Sequence, residues 1–104
     1  MAEQKYVVKV APPAYDDLNK HFYFLAKVSK DAAIRLKNTL LSDIRSLAEM
    51  PDRNPLYEHR GVAHGKYKYK LSAKRYRIVY QIDGNIVRVN GIEDCRQDWD
   101  SRLR

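Results

Sequence analysis

The sequence predicts an α+β domain in which a helical hairpin covers one face of a mainly antiparallel sheet, in the order strand, helix, helix, strand, strand, strand. Three observations lead there. A β-branched run, Lys5-Tyr6-Val7-Val8-Lys9-Val10-Ala11, stops at Pro12-Pro13, where two residues without amide donors cannot extend a ladder. Apolar residues then recur at helical spacing from Ala14 to Leu47, with a break at Ser29. Finally, the stretch from Lys66 to Ile82 alternates cations with aromatic or aliphatic residues, and Asp83-Gly84-Asn85 separates it from a further run, Ile86 to Ile92. Two helices can cover only one face of such a sheet, so the other is left open.

Each element has a local cause. Pro13 suits the first turn of a helix, and Ala14, Leu18, Phe22 and Leu25 mark its buried stripe, with Val28 next. Ser29 can cap a second helix beginning near Lys30, and Asp31 puts a negative charge in its first turn. Ala33, Leu36, Leu40, Ile44 and Leu47 carry that helix toward Met50, where Pro51 ends it. The leucine stripe reads as core. The stretch from Pro51 to Gly65, with two prolines and two glycines, reads as a long irregular connection. Glycine supplies positive φ in the Asp83-Gly84-Asn85 turn, so the last three strands form a meander. The tail from Glu93 to Arg104 reads as a short helix or an extended segment.

The chain is 104 residues long, which suits one domain spanning residues 1–104. Twenty Lys and Arg against thirteen Asp and Glu leave a formal charge of +7, which favours a polyanionic or acidic partner. No apolar run approaches the roughly 20 residues needed to span a bilayer, and the N-terminus lacks the layout of a signal peptide. A cytoplasmic protein without a membrane role is expected. The single Cys95 offers neither an internal disulfide nor a metal framework; no metal or cofactor is expected, and Cys95 reads as a small packed residue.

Alternation places Tyr67, Tyr69, Leu71, Tyr76, Ile78, Tyr80 and Ile82 on one side of the sheet, and Lys66, Lys68, Lys70, Arg75 and Arg77 on the other. With Ala73-Lys74 as a two-residue turn, Lys70 lies directly opposite Arg77 and Arg88 shares their face. Like charges placed opposite each other cost up to about 1 kcal/mol. That arrangement, with no acid at its central positions, points to an anion bound between them. The bland alternative is an ordinary solvated sheet face. Arg53, His59, Arg60 and His64 in the long connection would lie beside it if that segment folds back. His64, nearest the hairpin, is a reserve acid or base at neutral pH; His21 reads as structural or surface.

Tyr67-Lys68-Tyr69-Lys70-Leu71, Tyr76-Arg77-Ile78-Val79-Tyr80-Gln81-Ile82 and the closing Asp94-Cys95-Arg96-Gln97-Asp98-Trp99 resemble the RelE/ParE superfamily of bacterial type II toxins, across essentially the whole chain. The resemblance implies a toxin with a cognate acidic antitoxin as partner. In the RelE branch it implies a ribosome-dependent mRNA endoribonuclease that needs no metal, with Lys68, Lys70, Arg77 and Arg96 as the catalytic set. Lys66, Lys74, Arg75, Arg88, His64 and Trp99 would then contact RNA, with Trp99 in the place of a base-stacking tyrosine. The residue types suit that chemistry: arginines can grip a phosphate as charge develops, and a lysine crowded by cations can act as general base. In the ParE branch the resemblance implies instead a DNA gyrase inhibitor without catalysis. A non-enzymatic RNA-binding domain is the third reading.

Overall fold

A computed structural model of the chain describes residues 5–58 and 65–95. Its elements are β1 (Val7–Val10), α1 (Pro12–Ala26), α2 (Lys30–Ser46), a single 3-10 turn (Pro51–Arg53), β2 (Leu56–Tyr57), β3 (Tyr67–Ser72), β4 (Tyr76–Asp83) and β5 (Ile86–Asp94). The strands form one five-stranded sheet in the order β1-β5-β4-β3-β2. β1 runs parallel to β5, and every other pairing is antiparallel. The α+β architecture is the one expected, with one strand more. The extra strand, β2, lies inside the stretch read as an irregular connection and contributes only two residues, too few for any periodicity to register.

The helix boundaries follow from the residues at their ends. Prolines occupy the first turn of α1, and Ser29 Oγ accepts the Ala32 N–H at 3.1 Å, a cap worth about 1 kcal/mol. α2 stops at Ser46, one turn short of the expected end, because the following amides tighten onto nearer carbonyls, Ala48 onto Arg45 and Glu49 onto Ser46. The backbone then reverses at Met50 (φ 51°) ahead of Pro51. Ala14 and Leu18 of α1, with Leu36, Leu40, Ile44 and Leu47 from α2 and its cap, meet Tyr76, Ile78, Tyr80, Val87, Val89 and Ile92 of the sheet. That contact is the core. Between Val89 and Gly91 the β4–β5 register slips by one residue at Asn90, a bulge that returns Ile92 to the helix side after Val87 and Val89.

The β3–β4 register differs from the one expected. Ser72 pairs with Tyr76, Leu71 with Arg77, Lys70 with Ile78 and Lys68 with Tyr80. The connection is therefore three residues, Ala73-Lys74-Arg75, and not two. Ala73 and Lys74 take left-handed backbone angles (φ 51° and 70°), and the Arg75 N–H closes onto the Ser72 carbonyl at 3.3 Å. One extra turn residue turns every β3 side chain to the opposite face. Ser72 is consequently buried, with its hydroxyl donating to Asp43 Oδ2 of α2 at 2.5 Å, while Leu71, expected in the core, is 58% exposed.

Tyr80 ties the 3-10 turn to the sheet. It is fully buried, its hydroxyl donates to the Pro51 carbonyl at 2.6 Å, and it accepts from Asn54 Nδ2 at 2.9 Å. Burial pushes its pKa above the usual tyrosine value, with the Asn54 hydrogen bond opposing in part. The unfolded chain's phenol therefore ionises first, so this contribution to stability is complete below about pH 10 and is lost as the pH climbs through the higher folded-state value. Tyr80→Phe should cost about 1–3 kcal/mol at neutral pH through the orphaned partners and should flatten that part of the alkaline decline. Urea midpoints measured across the alkaline range check both, and an undiminished decline in the variant would contradict the assignment.

Candidate functional site on the open sheet face

The face of the sheet turned away from the helices is built by alternate residues of four strands. β4 offers Arg77, Val79 and Gln81, because Tyr76, Ile78 and Tyr80 point into the core. β5 adds Arg88, between the buried Val87 and Val89, and, beyond the bulge, Glu93. β3 adds Tyr69 and Leu71, which pair with Val79 and Arg77, and β1 adds Lys9, which pairs with Arg88.

Arg77 sits at the centre of a compact polar cluster. Its Nη1 lies 3.6 Å from Glu93 Oε1, and both side chains keep about a third of their surface in solvent (27% and 30%). At 3.6 Å the contact is Coulombic and not a hydrogen bond. The buried Tyr57 of β2 donates its hydroxyl to the other oxygen, Glu93 Oε2, at 2.5 Å. The guanidinium also lies over Tyr69, with Cζ 5.7 Å from the ring centroid, and Tyr69 meets Tyr57 edge-on at 6.2 Å. Arg75, in the turn, is held by Asp94 at 3.5 Å and lies 5.3 Å over the Tyr76 ring.

This arrangement corrects the sequence reading in two respects. Lys68 and Lys70 do not share a face with Arg77, because they pair with the core residues Tyr80 and Ile78. Lys68 is committed to the backbone, its Nζ donating to the Asn54 carbonyl at 3.0 Å. Lys70, instead of facing Arg77, borders a shallow recess of about 280 Å³ at the sheet edge with Asn54, Pro55, Tyr69 and Leu71. Secondly, the face does carry an acid, Glu93, while Asp94 pairs with the core residue Tyr76 and lies on the helix side. β5 continues through Glu93 and Asp94, which the sequence reading placed in the tail, and they pair across the ladder with Arg77 and Tyr76.

Of the other residues singled out, Arg88 does share the open face with Arg77. Lys66 and Lys74 are exposed at the two ends of β3, the former 5.6 Å from the Tyr67 ring centroid. His59, Arg60, His64, Arg96 and Trp99 lie outside the described residues. His21 is structural: its Nε2 meets the Ile92 carbonyl at 2.8 Å and its ring packs edge-on to Tyr76 at 4.9 Å. Asp17, one turn earlier on α1, accepts the Ile92 N–H at 2.9 Å, so two side chains substitute for a neighbouring strand where β1 has ended. Sequence reasoning missed Glu93, Tyr57 and Lys9. Lys9 had a legible signal in the alternation Val8-Lys9-Val10, but nothing in it names the strand alongside.

The chain's relatives agree with this fold. A family model described as the ParE toxin of the type II toxin-antitoxin system, parDE, matches residues 8–99. A search of curated protein sequences gives no significant match. Among solved structures, a chain of the chromosomal ParDE toxin-antitoxin system from P. aeruginosa superposes with a TM-score of 0.71 at 10% identity, over 88% of this chain and 98% of that one. A chain of the RelBE2 toxin-antitoxin complex from Mycobacterium tuberculosis gives 0.56 at 22% identity, over 89% and 94%.

Arg77→Ala and Glu93→Ala should each destabilise the fold and should couple by about 1 kcal/mol in a double-mutant cycle read by urea unfolding. Strictly additive effects would mean that the pair does not form. The match over residues 8–99, with the sheet and helical hairpin described above, shows that this chain belongs to the ParE toxin family of type II toxin-antitoxin systems.

Proposed function

We propose that this toxin acts by binding and inhibiting DNA gyrase, without catalysis, and that in the cytoplasm an acidic antitoxin holds it in check. The observation that carries the reading is the separation of the cations a ribonuclease centre would need. Arg77 is paired with Glu93 on the open face, whereas Lys68 is bonded to a carbonyl on the helix side and Lys70 shares that side. Cleavage of RNA through its 2′-hydroxyl requires a base and phosphate-binding cations converging within hydrogen-bond reach of one phosphodiester. An arginine already neutralised by a carboxylate is a poor stabiliser of further negative charge. The match to the ParE family model adds support. The two structural relatives, one from a ParDE system and one from a RelBE complex, do not favour either target, since at these identities they speak to fold alone.

Purified toxin should inhibit gyrase supercoiling in a dose-dependent manner and leave mRNA intact when incubated with translating ribosomes, with RNA ends mapped by primer extension. Cleavage at the ribosome that is lost in Arg77→Ala, with supercoiling unaffected, would overturn the reading in favour of an endoribonuclease.

A further inference from the structure

Two sides of α1 are taken up by the fold. Ala14 and Leu18 are buried in the core, Asp17 and His21 hold the backbone N–H and carbonyl of Ile92, and Phe22 lies beside Lys37 of α2, whose Nζ is 5.4 Å from the ring centroid. The remaining side faces outward. It carries Asp16, Asn19, Lys20, Tyr23, Phe24 and Lys27, which line a shallow recess of about 570 Å³. Tyr23 and Phe24 are 64% and 61% exposed, so the chain itself leaves both rings largely uncovered. Among the described residues, Asp16, Lys20 and Lys27 make no ion pair.

Asp16, Lys20, Tyr23 and Lys27 follow one another at intervals of four, three and four residues, so they fall along one line of the helix. Lys27, the C-cap, keeps helical backbone angles and extends that line. The line is complementary to itself. When two copies of α1 run antiparallel and cross between His21 and Phe22, residues equally far from the crossing on either side meet at the same height. The lining residues then all fall into pairs: Asp16 with Lys27, Asn19 with Phe24, and Lys20 with Tyr23. Each copy's acid lies opposite the other's cation at both ends, and Lys20 of one copy reaches the rings of Tyr23 and Phe24 of the other, a cation–π arrangement. A crossing that set Asp16 opposite Lys20 would instead bring the rings against Pro12 and Pro13 and leave Lys27 past the end of the helix.

This pattern discriminates between partners. A nucleic acid or an anionic membrane surface would be repelled by Asp16 at one end of the row, whereas a second copy supplies the cation that this acid lacks and covers the exposed rings. We propose that the outer face of α1 is the surface through which two copies of this chain associate, as an antiparallel helix pair with two-fold symmetry. One helix pair is smaller than a standard protein interface, so the dimer is weak, with a Kd on the order of 100 μM. The proposal does not rest on gyrase being the target, and it leaves the open sheet face free.

Sedimentation equilibrium of the full chain from about 5 μM to about 500 μM tests it and should show a monomer–dimer equilibrium. Asp16→Lys and Lys27→Asp each set like charges opposite one another at both ends of the pair, and each should weaken association about tenfold. An equimolar mixture of the two variants should recover at least the association of the unaltered chain, because each variant then faces its opposite charge. If Lys27→Asp, which puts an acid at the C-terminal end of the helix, does not fold by circular dichroism, Lys27→Gln takes its place with a smaller loss in the same direction. A chain that stays monomeric throughout, a dimer that neither single change weakens, or a mixture no tighter than the separate variants overturns the proposal.

Discussion

The register of β3 on β4 is the constraint on which the arrangement of this molecule depends, and one buried hydrogen bond sits at its anchor. Ser72 is the only residue of β3 that is buried, and its hydroxyl reaches Asp43 on α2. With Ser72 on the helix side, Lys70 and Lys68 must follow it, and Tyr69 and Leu71 must face outward. Lys68 is then placed to hold the Asn54 carbonyl, and Asn54 in turn binds Tyr80, whose hydroxyl meets Pro51. A single polar contact to the second helix thus decides which cations share a surface and how the 3-10 turn is tied to the sheet.

Much of the fold was legible because its signals are local. Pro12-Pro13 stop a strand and start a helix, Ser29 caps the next, and Gly84 supplies the positive φ (61°) of the last hairpin. Alternation also told correctly which residues within each strand lie on one side. What it could not tell was how two strands are phased against each other, since that depends on the length of a turn. Here Ala73 and Lys74 adopt left-handed angles without any of the residues that normally announce them, so a three-residue connection looked like a two-residue one. Hydrophobicity misled in the same place, by favouring Leu71 over Ser72 for the core. Glu93 was lost for a different reason: an acid beside Asp94 reads as the start of a polar tail, and only the ladder shows it facing Arg77.

These differences change what the basic composition means. An excess of seven positive charges suggested a continuous anion-binding surface, but Arg77 on the open face and Arg75 in the turn have their own carboxylates, while Lys9 and Arg88 make no ion pair among the described residues. This distribution of cations supports the proposed reading of a protein-binding toxin over one that assembles a cleavage centre.

The partition of cations between the two faces is tested most directly by cross-strand Hα–Hα nuclear Overhauser effects in the isotopically labelled protein. The register described here predicts close Hα contacts for Leu71 with Arg77 and for Tyr69 with Val79, the pairs whose amides point away from each other. A contact between Lys70 and Arg77 in their place would return both cations to one face and contradict the account.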